Sequence, residues 1–303
     1  MRRYQKRFRA LGSSISLTLL ADDQTAVTPL FDLLFLTIND FEQRFSRFLP
    51  DSELTRLNQQ AGQKTTISRP MHALLETSRQ LAVISQGMFN PMILPGLVRS
   101  GYAGSIDDDF KLHHPALDYS RRRVYTLESL KLGEQWVELP ADAALDLGGI
   151  GKGYLLDELA KLVDEQHLDN YWLSLGGDII CSGQDIDGAD WQVAIASALS
   201  KKPIKPTITC GTAKLAIATS GTIKRRGDNW HHLIDPATQR PAVTDILSAT
   251  VIAERGVLAD VLAKTVVIGG QVMADDYLNR KLLSAYLLQF ANGTIVHKGE
   301  LIN

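Results

Sequence analysis

The stretch Asp146-Leu147-Gly148-Gly149-Ile150-Gly151-Lys152-Gly153 runs directly into the helix-patterned segment Tyr154–His167. Four glycines within six residues permit backbone angles closed to other residues and let a ligand approach the main chain closely. Leu155, Leu159, Leu162 and Val163 are apolar at i, i+4, i+7 and i+8, so the second segment reads as an amphipathic helix. The glycines then stand at a helix N-terminus, where the first N–H groups lack intrahelical acceptors and phosphate or pyrophosphate is the natural guest. A tight strand-to-helix turn with no ligand is the other reading of the same residues.

Two familiar phosphate patterns fail here. A P-loop needs Gly-x-x-x-x-Gly-Lys followed by Ser or Thr, but Gly151-Lys152 is followed by Gly153, and Asp146 holds the position of the first glycine. The dinucleotide pattern would read Gly151-Lys152-Gly153-Tyr154-Leu155-Leu156, without its third glycine.

Further segments follow in order. They are Leu173-Ser174-Leu175-Gly176-Gly177-Asp178-Ile179; Ala218-Thr219-Ser220-Gly221; His232-Leu233-Ile234-Asp235-Pro236-Ala237-Thr238-Gln239-Arg240-Pro241; and Ser248-Ala249-Thr250-Val251-Ile252-Ala253 leading to Leu258-Ala259-Asp260. Upstream stand Ala10-Leu11-Gly12-Ser13, Ser46-Arg47-Phe48 with Asp51-Ser52-Glu53-Leu54 and Asn58, and Gln86-Gly87-Met88-Phe89-Asn90-Pro91. This ordered set, spread over residues 8–275, resembles the FAD:protein FMN transferase (ApbE) family.

The resemblance implies a magnesium-dependent enzyme that cleaves the pyrophosphate of FAD, transfers FMN to a Thr or Ser hydroxyl of a flavoprotein and releases AMP. It implies an α+β fold of largely antiparallel sheets with packed helices and a flavin cleft. It places His232 and Asp260 in catalysis, and Leu11, Phe48, Met88, Phe89, Asn90, Asp146, Lys152, Ser220 and Leu233 around FAD. Gly149, Asp260 and Ala263 are the implied metal ligands. A non-catalytic FAD binder and an FAD pyrophosphatase are the alternatives, and AMP release with and without an acceptor protein separates the three.

The residues themselves suit the chemistry. Phosphoryl transfer needs the phosphate charge neutralised and a group to take a proton from the acceptor hydroxyl. Lys152 supplies charge, and His232 is the well-placed base; a His beside an apolar Leu-Ile pair is otherwise an ordinary packed or surface histidine, and His231 shows that the segment tolerates one. His72, His113, His114, His167 and His297 fall in no such segment and read as surface or loop residues.

Two departures from the family pattern stand out. The helix-patterned Gly256–Gly269 carries Lys264 four residues after Asp260, where the resemblance implies a Thr hydroxyl on the metal, with Thr265 displaced by one. An ammonium offers no lone pair and adds positive charge beside a cation; as a plain i,i+4 neighbour of Asp260 it would form an ordinary salt bridge. Asn90 stands where the family commonly has Asp.

The chain has 303 residues, with 32 basic against 34 acidic side chains, so charge gives no case for nucleic acid or anionic membrane partners. Its 45% hydrophobic and 22% charged residues are those of a soluble globular protein. The basic start, Arg2 to Arg9, leads into no signal-peptide core, and Cys181 and Cys210 are not placed for lipid attachment, so a cytoplasmic location is expected. One domain is expected over residues 1–303, with a C-terminal β-hairpin in 276–303. Helical periodicity marks Pro29–Phe45 and Met71–Ser85. Alternation marks strands at Trp191–Ile195, Thr207–Cys210 and Lys214–Ala218, and Asn292-Gly293 marks a turn between Ala285–Phe290 and Thr294–His297.

Overall fold

A computed structural model describes residues 1–104 and 123–299; His113 and His114 lie outside them. The described helices relevant to the site are α1 (Gln24–Phe45), α2 (Glu53–Gln59), α3 (Arg69–Ile84), α4 (Leu94–Ser100), α5 (Gly151–Asp164), α6 (Gly256–Gly269) and α7 (Gln271–Asn279). The chain divides into two compact units, one of residues 1–40, 152–221 and 245–303, the other of residues 41–151 and 222–244.

The first unit is built on an eight-stranded sheet whose strands lie in chain order: Arg2–Ala10, Ser13–Ala21, Tyr171–Leu175, Asp178–Ser182, Leu215–Gly221, Ile246–Ala253, Ala285–Phe290 and Ile295–Gly299. Every pairing is antiparallel. Ile246–Ala253 is buried at all but one position because both of its faces are covered. Helix α6 packs on this strand and on Leu215–Gly221. Trp191, Val193, Ile195, Ile208 and Cys210, from the hairpin Trp191–Ile195 with Ile204–Cys210, join Ile179, Ile217, Ile252 and Leu287 in one core.

The second unit holds α2, α3 and α4, a three-stranded sheet of Lys64–Thr66, Trp136–Glu138 and Lys131–Gly133, and the short pair Ile234–Asp235 with Arg240–Pro241. Leu97, Tyr102 and Ile234 form a small core there, with Phe48, Ile93 and Trp230 packed against it.

The α+β, antiparallel expectation holds, with shifts at element ends. Helix α1 starts five residues before Pro29, where Asp23 Oδ1 accepts the Thr25 N–H (2.9 Å). Helix α5 starts at Gly151 and not Tyr154, and ends at Asp164; His167, with φ 56°, lies past its end. The C-terminal hairpin forms, but residues 276–279 belong to α7, and Ala285–Phe290 pairs with Ile246–Ala253 as an inner strand of the main sheet.

Candidate functional site

Within the first unit, several segments singled out in the sequence meet at one end of the large sheet. The turn Leu11-Gly12 joins the first two strands with both residues at positive φ (56° and 60°), the geometry that right-twisted hairpins favour. Leu11 takes this conformation with a side chain, at a cost of roughly 1–2 kcal/mol. Gly176 and Gly177 make the equivalent turn before Asp178. A Cβ on Gly176 would lie 2.9 Å from Ser13 Oγ and 3.1 Å from Ser13 Cβ, so the glycine allows the close approach of the first hairpin turn.

Lys152, on the first turn of α5, forms an ion pair with Asp178, whose other oxygen accepts the Thr219 N–H (3.1 Å) next to Ser220. Lys152 Nζ also lies 4.0 Å from Asp260 Oδ1. Asp260 is buried in α6; its Oδ2 accepts the Gly153 N–H (3.0 Å), and its Oδ1 pairs with Lys264 Nζ, which also donates to the Asp260 carbonyl (3.2 Å). Burial alone would push this carboxyl up, but the ammonium groups of Lys264 and Lys152, with the hydrogen bonds from Lys264 and Gly153, outweigh it and hold the carboxyl below its ordinary range. Gly153 is required here: a Cβ would sit 2.3 Å from the Gly256 carbonyl and 2.6 Å from Asp260 Cβ.

The second unit presents a different centre. Arg47, 6% exposed, donates from Nε to Asp146 Oδ2 (2.5 Å) and from its two Nη atoms to the carbonyls of Ala103 (2.7 Å) and Tyr102 (2.9 Å). Its guanidinium carbon lies 4.3 Å from the Phe48 ring centre and 4.9 Å from that of Tyr102. Asp146 Oδ1 accepts the Gly148 N–H (2.8 Å). One residue upstream, Asn58 bonds both the N–H and the carbonyl of Leu145 (2.8 and 2.9 Å). The Asp146 N–H in turn reaches the Pro91 carbonyl (2.8 Å), which ties in the Met88-Phe89-Asn90-Pro91 stretch.

The glycine-rich segment therefore differs from its sequence reading. Gly148, Gly151 and Gly153 have no positive φ, and of the three only Gly153 stands where a Cβ would run into main chain. Their N–H groups are engaged within the fold, by Asp146, by the Leu147 carbonyl and by Asp260 respectively. Positive charge near the start of α5 is carried by the side chains of Lys152 and Lys264.

His232 stands edge-on to Tyr102, 6.3 Å between ring centres, and its main-chain N–H donates to the Arg225 carbonyl (3.2 Å). Its neighbour His231 is structural: Nδ1 accepts the Leu233 N–H (3.3 Å), which leaves Nε2 to donate to the Ala242 carbonyl (3.0 Å). Burial holds His231 below its ordinary pKa, consistent with this neutral form. Leu233 and Phe89 are buried, and Phe48 packs on Tyr102. Asn90 donates to the Tyr125 carbonyl (2.5 Å) and accepts the Met92 N–H (2.8 Å); a carboxylate could not make the first bond.

Among the described residues, no three His, Cys, Asp or Glu side chains are grouped to hold a metal ion. The donors present do not fit magnesium. Both Asp260 oxygens are engaged, one of them by an ammonium, and Ala263 lies inside a helix that continues to Gly269. Thr265 offers no substitute, since its hydroxyl donates to the Leu262 carbonyl and accepts from Tyr277, both at 3.1 Å.

Arg47 and Asp178 were present in the segments read from sequence but carried no assigned role there. Ser248, with a buried hydroxyl that has no partner among the described residues, lies opposite Gly221 on the neighbouring strand. No helix among the described residues is long and apolar enough to cross a membrane.

The family model described as "ApbE family" matches residues 11–287. An FAD:protein FMN transferase of Treponema pallidum is 31% identical over 241 residues, covering 73% of this chain and 66% of that protein. One of Vibrio cholerae is 28% identical over 240 residues, covering 77% and 70%. In structure, the ApbE protein of Thermotoga maritima superposes with a TM-score of 0.85 at 22% identity, covering 99% of this chain and 97% of that one. The flavin transferase ApbE of Vibrio cholerae gives 0.82 at 22%, covering 98% and 96%.

Proposed function

The chain belongs to the ApbE family, and we propose that it is a flavin transferase that uses FAD as donor and a Thr or Ser hydroxyl of a flavoprotein as acceptor. The observation that supports this most is the family match across residues 11–287, which takes in every segment of the candidate site. In the reaction the acceptor oxygen attacks the phosphorus of the FMN half, the P–O–P bond to the adenylate breaks, and AMP leaves. His232 takes the hydroxyl proton at a ring nitrogen. Lys152 and Lys264 offset phosphate charge. Leu11, Phe48, Met88, Phe89, Asn90, Ser220 and Leu233 belong to the FAD-contacting set on this reading, and Asp146 acts through the segment it holds. The magnesium implied by the family would call on Gly149, Asp260 and Ala263; no step is assigned to it, because Lys264 already neutralises Asp260.

The test is incubation with FAD and an acceptor flavoprotein, reading AMP and covalent flavin on the acceptor. His232→Ala should leave FAD affinity nearly unchanged and slow transfer by roughly 10²–10⁴-fold. Transfer at the unmodified rate would remove His232 from the mechanism. AMP release at the same rate without acceptor protein would replace the transferase with a pyrophosphatase, and FAD binding without AMP would leave a flavin carrier.

A further inference from the structure

We propose that Lys264 is a resident cation for the phosphate groups of the bound dinucleotide, standing with Lys152 in place of a divalent metal ion, so that this chain binds FAD without metal. The inference rests on the FAD-dependent reading above and specifies how its site is charged.

Four charged side chains of one unit make the case. Asp178 and Asp260 carry two negative charges; Lys152 and Lys264 carry two positive ones, in contact with them. The cluster is already neutral, so the pair of carboxylates that would draw a dication has no net charge left to draw it with. Lys264 is tethered one helical turn from Asp260 and is itself mostly buried, 13% exposed. A magnesium ion, which sheds its water reluctantly, would have to expel an ammonium that bonds both the carboxylate and the main-chain carbonyl of Asp260.

Thr265 does not supply the hydroxyl that Lys264 lacks. The neighbouring Thr265 faces Tyr277 of α7, and both of its hydrogen-bonding roles are used inside the core. An ammonium, in contrast, has three protons. Two point to Asp260, which leaves a third for a phosphate oxygen on a side chain that is 13% exposed. Asp178 is then a positioning residue. It holds Lys152 on one oxygen and the Thr219 N–H on the other, while Asp260 lies 4.0 Å from the same Lys152 Nζ and carries Lys264.

The measurement is FAD affinity by flavin fluorescence, in EDTA and in millimolar magnesium, with a separate calorimetric magnesium titration of the flavin-free protein. The unmodified protein should bind FAD equally well in both, within about threefold, and give no magnesium heat. Lys264→Met, which keeps the packing and removes the charge, should lose about tenfold or more in EDTA. Lys264→Thr should acquire a magnesium heat and a magnesium-dependent FAD affinity. Loss of tenfold or more by the unmodified protein in EDTA overturns the inference and leaves the transferase reading intact. Unchanged binding by a folded Lys264→Met in EDTA also overturns it. FAD bound in neither condition removes both readings. If either variant fails to fold, by circular dichroism, the two measurements on the unmodified protein decide alone.

Discussion

Two carboxylate–cation centres lie along the same glycine-rich stretch, and they are built from different cations for different work. Arg47 uses Nε and both Nη atoms on fixed partners, lies close to the Phe48 and Tyr102 rings and is 6% exposed. Asp146, its partner, has both oxygens engaged. The Lys152–Asp178 and Lys264–Asp260 pairs instead use compact, rotatable ammonium groups whose side chains remain 20% and 13% exposed over carboxylates that are almost fully buried. A guanidinium fork locks a geometry, whereas an ammonium is a point charge that can re-aim its protons at an arriving anion. The first centre therefore secures the start of the segment, and the second is the one we propose for the ligand.

Breaking the arginine centre gives the sharpest test of that division. Arg47→Ala leaves Asp146 as a buried, uncompensated charge, and should cost about 3–5 kcal/mol of folding stability. Urea unfolding followed by tryptophan fluorescence reads this directly. Arg47→Lys should recover only a part, because one ammonium cannot reach Asp146 and two carbonyls in the same directions. A loss below about 1 kcal/mol in Arg47→Ala would mean that the pair is a surface-like contact and not a clamp.

Lys152→Met should differ in what else it loses. It leaves Asp178 buried without its ammonium and so destabilises the fold too, but FAD affinity should also fall by about 1–3 kcal/mol, roughly tenfold to a hundredfold, from loss of a charge-assisted contact. Titrations belong at one ionic strength, so that screening does not mimic the effect. Equal unfolding of Lys152→Met and Arg47→Ala, with no change in affinity in the folded fraction, would erase the distinction between the centres.

Much of the architecture was legible where solvent leaves a period in the sequence. Trp191–Ile195 is buried at alternate positions, and its alternation gave the right strand to the residue. Helix α6 was bounded correctly by its glycines, although Asp260, Lys264 and Thr265 interrupt its apolar body. Of the charge centres only the Asp260–Lys264 pair, four residues apart on one helix, had a sequence signal. Arg47 and Asp146 are 99 residues apart, and a single sequence carries nothing that pairs them. The glycines were ambiguous in a specific way: composition cannot tell a residue that needs positive φ, such as Gly176, from one that needs an absent Cβ, such as Gly153. The same blindness hid the direction of Thr265, one residue from where a metal ligand was implied yet turned into the core.

Asn90 allows the smallest and finest test, because it is the family departure for which the fold supplies a cause. Its amide donates to the Tyr125 carbonyl and accepts from Met92 N–H, so only a side chain with both functions satisfies the site. Asn90→Asp should lose the donated bond and set a carboxylate oxygen against a carbonyl oxygen, at a cost of about 1–2 kcal/mol. The sign with pH follows from the same geometry. A protonated carboxyl restores the donor, so the folded state of Asn90→Asp binds its proton more tightly than the unfolded chain, and the introduced group has a raised pKa. The destabilisation should be complete above that raised value and should vanish below the unfolded value of about 3.9. Urea midpoints of the two proteins should therefore converge as pH falls toward 3.5 and separate at pH 7. A gap that stays constant over that range would show that the Tyr125 carbonyl is not the partner that decides this position.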